Sequence, residues 1–209
     1  MQRCVKRGVL LFLCSVFPAF LSADTIYFQP TGYTLQPGEW KITYLLKGDA
    51  KKETLISLQS ALVPFVDVLV FRENFNAGSA DFGFNIQYSV SQPFPDYAPG
   101  IAVGVLDAFN KTQSGRSFFI AITWQNNIFS EWAVKERSTF TIGAGTGKQE
   151  RNLFVNVKLP LYKYLSFITE LDSKGVLAGL EVNWTKDFAT QMIFIKGEPH
   201  FGVTFGKSF

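Results

Sequence analysis

The chain has 209 residues, room for one domain with a sizeable core. Its 20 Lys+Arg stand against 17 Asp+Glu. Arg3, Lys6 and Arg7 all fall in a leading segment read below as an export signal, so the remainder is formally neutral and no basic patch argues for nucleic acid. The chain holds 22 Phe, more than a soluble domain of this size hides easily, and no later apolar run is long enough for a membrane-spanning helix.

In chain order, "MQRCVKRGVLLFLCSVFPAFLSA" sets basic residues before an apolar run from Gly8 to Phe20 and a small residue at Ala23. That is the layout of a secretory signal, with cleavage after Ala23 and an uncleaved anchor as the alternative. Cys4 and Cys14 leave with it, so the exported domain, residues 24–209, has no disulfide framework. "DTIYFQPTGYTLQP" then reads as irregular.

From there the period is two. Trp40, Ile42, Tyr44 and Leu46 share one face. Phe82, Phe84, Ile86, Tyr88 and Val90 alternate with small or polar residues, as do Phe140, Ile142 and Ala144. Phe118, Ile120, Ile122 and Trp124 oppose Phe119, Ala121, Thr123 and Gln125. Leu153, Val155 and Val157 form another apolar row, as do Val176, Ala178, Leu180, Val182 and Trp184. Such alternation indicates half-buried antiparallel strands. Twelve are expected, at 38–48, 53–63, 66–75, 82–92, 100–109, 117–126, 138–146, 152–159, 164–172, 175–185, 189–196 and 200–209. The second, third and eleventh alternate poorly, which leaves ten or fourteen open.

The joints sort into two kinds. Those from odd to even strands are rich in Gly, Ser, Asn and Lys, as solvated turns are. Those from even to odd carry Phe65, Phe94, Tyr97, Phe129, Trp132, Tyr162, Tyr164 and Phe188, and the strand ends on that side add Trp40, Tyr88, Trp124, Trp184 and Phe209. Indole and phenol rings favour the headgroup level of a bilayer. The expected fold is therefore all-β, a closed antiparallel transmembrane β-barrel. Its periplasmic aromatic girdle would be Trp40, Tyr88, Trp124, Tyr162, Tyr164 and Trp184. A sheet in hydrocarbon must close so that every N–H and C=O is paired.

The last strand carries Phe201, Val203, Phe205 and a terminal Phe209 on one face. This resembles the C-terminal insertion signal of outer-membrane barrels, with Lys207 departing from the usual apolar residue. The resemblance implies export to the bacterial outer membrane, with lipid, lipopolysaccharide and the barrel-assembly machinery as partners. The stretch "FGFNIQYSVSQPFPDYAPGIAVGVLDAFNKTQSGRSFFIAITWQ" resembles the hairpin region of YjbH-type outer-membrane proteins. That likeness implies a part in exopolysaccharide handling and carries no catalytic residue.

Little in the chain suggests chemistry. His200 is the single histidine and is expected on a solvated outer loop; Ser208, on the same strand, is about 27 Å away along the strand. One histidine and no mature cysteine argue against a dedicated zinc site, and no cofactor is expected. "GAGTGKQ" at Gly143–Gln149 lacks the first Gly and the Ser/Thr of a phosphate loop and reads as a strand with a narrow inward face. The sequons at Asn110 and Asn183 carry no weight in a bacterial barrel.

Lys158, Glu170, Asp172 and Glu181 fall on the polar face of three consecutive strands. Hairpin closure is expected to align Lys158, Ser166 and Glu181 in one layer, with Lys158 and Glu181 about 10 Å apart across one strand. Such a layer is either a charged constriction in a narrow pore or a polar filling of a closed barrel. Lys47, Lys51, Lys52, Lys111, Arg116, Lys148 and Arg151 ring the outer loops, where they would be solvated or meet lipopolysaccharide phosphates or an anionic polysaccharide. Function is expected to be non-enzymatic: a narrow channel or envelope component, a closed structural or adhesive barrel, or, least in keeping with the residues, a lipid-modifying barrel enzyme.

Overall fold

A computed structural model describes residues 30–32, 34–48, 54–76, 79–112, 115–126, 137–146, 153–172, 175–195 and 197–207. The signal segment, Lys51, Lys52, Phe129, Trp132, Lys148, Arg151, Ser208 and Phe209 lie outside them. Twelve strands follow one another: β1 (Trp40–Lys47), β2 (Thr54–Val63), β3 (Val66–Asn76), β4 (Ser79–Ser91), β5 (Gly100–Leu106), β6 (Ser117–Asn126), β7 (Ser138–Thr146), β8 (Leu153–Tyr162), β9 (Leu165–Asp172), β10 (Gly175–Asn183), β11 (Phe188–Ile195) and β12 (Glu198–Lys207). Each pairs antiparallel with its chain neighbours, and β1 pairs with β12, from Trp40 opposite Lys207 to Lys47 opposite His200. The sheet is a closed barrel without a free edge.

Alternation decides what faces where. Every strand turns large apolar side chains outward, where they stay exposed. Ile42, Ile56 and Val70 on β1–β3 are examples, as are Ile86, Val103 and Ile120 on β4–β6. Ile142, Leu153, Leu171, Leu180, Met192 and Phe201 continue the pattern on β7–β12. The two rims differ. At the rim where β1 starts stand Trp40, Trp124 and Trp184, with Tyr88, Tyr97, Tyr162 and Tyr164. Among the described residues only Tyr44, in the middle of β1, breaks this sorting of Trp and Tyr. We call this the aromatic rim and the other the polar rim. Rings pack along the aromatic rim: Trp124 against Phe140 at 6.0 Å between centroids, and Phe188 against Phe205 at 4.8 Å.

Three expectations need correction. β5 stops at Leu106, not at 109, because Asp107 turns into the left-handed region (φ 47°) and its carboxylate accepts from the backbone N–H groups of Lys111 and Thr112. This leaves Phe109 on a polar-rim joint, 65% exposed, so phenylalanine is not confined to one end. β8 runs on through Pro160, at a register shift between Pro160 and Tyr162, so the joint to β9 is only Lys163–Tyr164. β12 begins at Glu198, which moves His200 from a loop into the sheet. It faces inward and is 2% exposed, with Nδ1 3.0 Å from the Glu198 carbonyl oxygen.

Inside, toward the polar rim, the barrel is packed with apolar side chains. One layer contains Leu45, Leu55, Leu177, Ile193 and Ile195, with Phe71 and Ile168 against it; a second contains Phe119, Ala121 and Phe154, with Leu106 against it. Leu45 and Leu55 are 3% and 1% exposed. Glycines make room for the largest of these. Gly83 lies opposite Phe71, Gly104 opposite Phe119 and Gly143 opposite Phe154. A Cβ at Gly83 or Gly143 would come within 1.9 or 2.0 Å of the facing ring. The narrow inward face read at Gly143 is thus the seat of an aromatic ring.

Candidate functional site

Between the apolar layer and the aromatic rim the inward positions turn polar, and Lys158 and Glu181 meet there. Lys158 on β8 sets its ammonium 2.6 Å from Glu181 Oε1 on β10. Gln191 donates to Glu181 Oε2 at 2.8 Å and Asn183 to Oε1 at 3.4 Å, so each carboxylate oxygen has a donor. Gln191 also donates to Thr204 Oγ1, which is 3.2 Å from Thr43 Oγ1, and so the network runs through β8, β10, β11, β12 and β1. On β9, Glu170 accepts from Asn156 at 3.2 Å. Asp172 ends β9 opposite Gly175.

The register behind the pair differs from expectation. Ser166 lies opposite Glu181 and Pro160, while Lys158 lies opposite Ile168. The tight Lys163–Tyr164 joint slides β8 by two residues relative to the expected layer. The long lysine side chain spans the offset.

Two further charges were legible by position but not singled out. Lys41 follows Trp40 on the inward face of β1 and lines the same space. Asp67, 3% exposed on β3, has both carboxylate oxygens facing the Leu35 backbone N–H, at 3.1 and 3.0 Å, and accepts from Gln59 Nε2 at 3.0 Å. Lys47, expected on the solvated rim, instead has a side chain only 6% exposed and ion-paired to Glu198. Lys111 and Arg116 are exposed on the polar-rim joint between β5 and β6.

The backbone around Leu35 explains Asp67. The segment before β1 enters the aromatic-rim mouth and lies against the inner wall. Gly32 N–H donates to Thr123 Oγ1 at 2.6 Å, and Thr123 Oγ1 lies 2.6 Å from Thr141 Oγ1. Gln92 donates to Thr34 Oγ1 at 2.7 Å. Pro30, Gly32 and Thr34 are buried. A Cβ on Gly32 would sit 2.4 Å from the Gly100 carbonyl oxygen, so only glycine allows this approach.

This segment before β1, a strap over the lumen, and the apolar layer bound a lumen cavity of about 280 Å³. Its floor, toward the polar rim, includes Leu45, Leu106, Phe119, Leu177 and Ile193; its sides carry Lys41, Lys158, Glu170, Glu181, Gln59 and Asn156. Among the described residues no three metal-binding side chains converge.

The girdle residues sit on the outside, away from this cavity. Tyr88, Tyr162, Tyr164 and Trp184 are exposed, and Trp184 Nε1 donates to Thr190 Oγ1 at 2.9 Å. Lys163 Nζ lies 5.0 Å above the Tyr164 ring. Phe201, Val203 and Phe205 of the expected insertion signal line the outer face of β12.

Fold and lumen define the class: a closed twelve-stranded antiparallel β-barrel, apolar outside, with a filled and strapped interior. Compared with known proteins, the chain matches no family model, no curated protein and no solved structure.

Proposed function

We propose that the chain is a non-enzymatic component of the bacterial outer membrane, exported by its N-terminal signal and held in the bilayer by its outer face. The observation that carries this reading is the exposed apolar surface contributed by all twelve strands, bounded at one rim by Trp and Tyr. In water such a surface would aggregate. In a bilayer it meets hydrocarbon, and the closed sheet presents no unpaired edge strand to it. Lipid and lipopolysaccharide are its immediate surroundings, and the barrel-assembly machinery its route into them. The test is membrane fractionation with heat-modifiable gel migration; recovery in the aqueous fraction after lysis would overturn the reading.

Within the envelope, the likeness of Phe82–Gln125 to YjbH-type proteins supports a role in extracellular polysaccharide handling. The exposed Lys111 and Arg116 offer contacts to an anionic polymer. The packed apolar layer favours a barrel that is closed at rest. A narrow channel is the second reading, favoured by the charged lumen cavity, and requires both the strap before β1 and the apolar layer to move. Loss of exopolysaccharide export on deletion tests the first reading, and single-channel conductance the second.

A further inference from the structure

Lys41 stands apart from the other charges of the lumen. Glu181 is held by Lys158, Gln191 and Asn183, Glu170 by Asn156, and Asp67 by Leu35 and Gln59. The Lys41 side chain lines the cavity yet makes no hydrogen bond or ion pair among the described residues. The charges that act on it through space are Glu181, Lys158 and Glu170. An ammonium half-buried in a barrel lumen without a direct partner among the described residues is costly unless something anionic meets it.

We propose that the lumen cavity binds a small organic monocarboxylate, its carboxylate on Lys41 Nζ and its apolar body against the floor made by Leu45, Leu177, Ile193 and Phe119. The cavity itself is divided in this way, with one apolar end and one polar belt, as small-molecule sites are. Its volume of about 280 Å³ limits the body to a compact ring or short chain. One lumen cation without a direct partner among the described residues favours one negative charge. A dianion would be repelled by Glu181 and Glu170, which remain close by. Charge-assisted contact to an ammonium and burial of the apolar body each add affinity. The strap residues Pro30, Thr31 and Leu35 form the wall toward the aromatic rim and would cover the bound ligand on that side. This goes beyond the envelope role and does not depend on conduction.

The probes are cyclohexanecarboxylate, its neutral isostere cyclohexanemethanol, and acetate. Binding to the full chain, refolded in detergent micelles and checked by heat-modifiable migration, is read by saturation-transfer NMR titration. The acid is expected to bind the wild type at least tenfold more tightly than the alcohol or acetate. Lys41→Met should remove that tenfold preference and leave the alcohol unchanged. Ile193→Trp, which fills the floor, should abolish saturable binding of both. Equal affinity for acid and alcohol in the wild type overturns the proposal, as does an unchanged acid affinity in Lys41→Met or Ile193→Trp. The wild-type comparison stands even if a variant does not refold. A protein that folds as a heat-modifiable barrel but shows no acid preference defeats this inference alone, whereas one that never enters a membrane defeats the envelope reading.

Discussion

Lys158 is bonded at 2.6 Å to Glu181, although Ile168 stands directly opposite it on the intervening strand and Glu181 faces Ser166. The pair is diagonal, which is how a sheared barrel wall lets a long side chain cross a whole strand. Removing one partner leaves the other charge inside the barrel. Lys158→Met is expected to destabilise the barrel by about 3 kcal/mol, the low end for a buried pair, because the lysine side chain keeps 31% of its exposure. The double variant Lys158→Met/Glu181→Leu should recover most of that loss. Equilibrium urea unfolding of the refolded variants, with Glu181→Leu alone as the fourth protein, measures both, and a double-variant loss equal to the sum of the two single losses would show that the pair carries no coupling.

Much of the barrel was legible in the alternation. Strand number, direction and outer face follow from rows such as Phe82–Val90 and Phe118–Trp124, because a lipid-facing or exposed apolar row must recur every second residue. The second, third and eleventh strands alternated poorly for a reason the structure supplies. Leu55 beside Ile56, Phe71 beside Val70, and Ile193 between Met192 and Phe194 put apolar groups on both faces where the lumen is packed. The broken alternation was therefore the signal of the inner layer. The site was only partly legible. Lys158 and Glu181 were visible as inward charges, and Lys41 followed from the same parity. The strap has no period, and its position depends on Gly32 meeting Gly100, a contact that local sequence does not encode.

Gly143 and Phe154 test the packing of that inner layer. A side chain at Gly143 must displace a ring that is itself 5% exposed, with a Cβ only 2.0 Å from Phe154 Cζ. Gly143→Val is expected to cost about 1–3 kcal/mol by overpacking. Combined with Phe154→Ala it should cost less than the two single changes added, since the valine occupies space the ring has vacated. Urea unfolding of the four proteins completes the cycle, and strict additivity would refute the seat-and-ring arrangement.

On the outside, Leu180 lies near the middle of β10 and is 41% exposed. If that face meets hydrocarbon, Leu180→Arg costs about 2–4 kcal/mol in folding into lipid vesicles, the price of a cation near the bilayer midplane. On a water-exposed sheet the same change would be close to neutral. Folding yield into vesicles against urea concentration separates the two, and the same substitution at Trp184, on the aromatic rim, should cost much less, because depth governs the penalty.

The strap makes a prediction about conductance. It is held by Leu35 on Asp67 and by the fit of Gly32 against Gly100. Gly32→Val puts a side chain where the Gly100 carbonyl oxygen already stands, and Asp67→Ala removes both acceptors of the Leu35 N–H. Neither change touches the Leu45–Leu55 layer, which forms the second barrier. In planar bilayers the wild type is expected to be silent. Each variant alone should remain silent while the inner layer stays packed. Joining Gly32→Val to Leu55→Gly and Phe119→Gly should produce discrete openings, because both barriers are then thinned. Openings in the strap variants alone would mean that the apolar layer does not seal the lumen. Silence in the combined variant, with the barrel shown to be folded, would leave the lumen as filling alone.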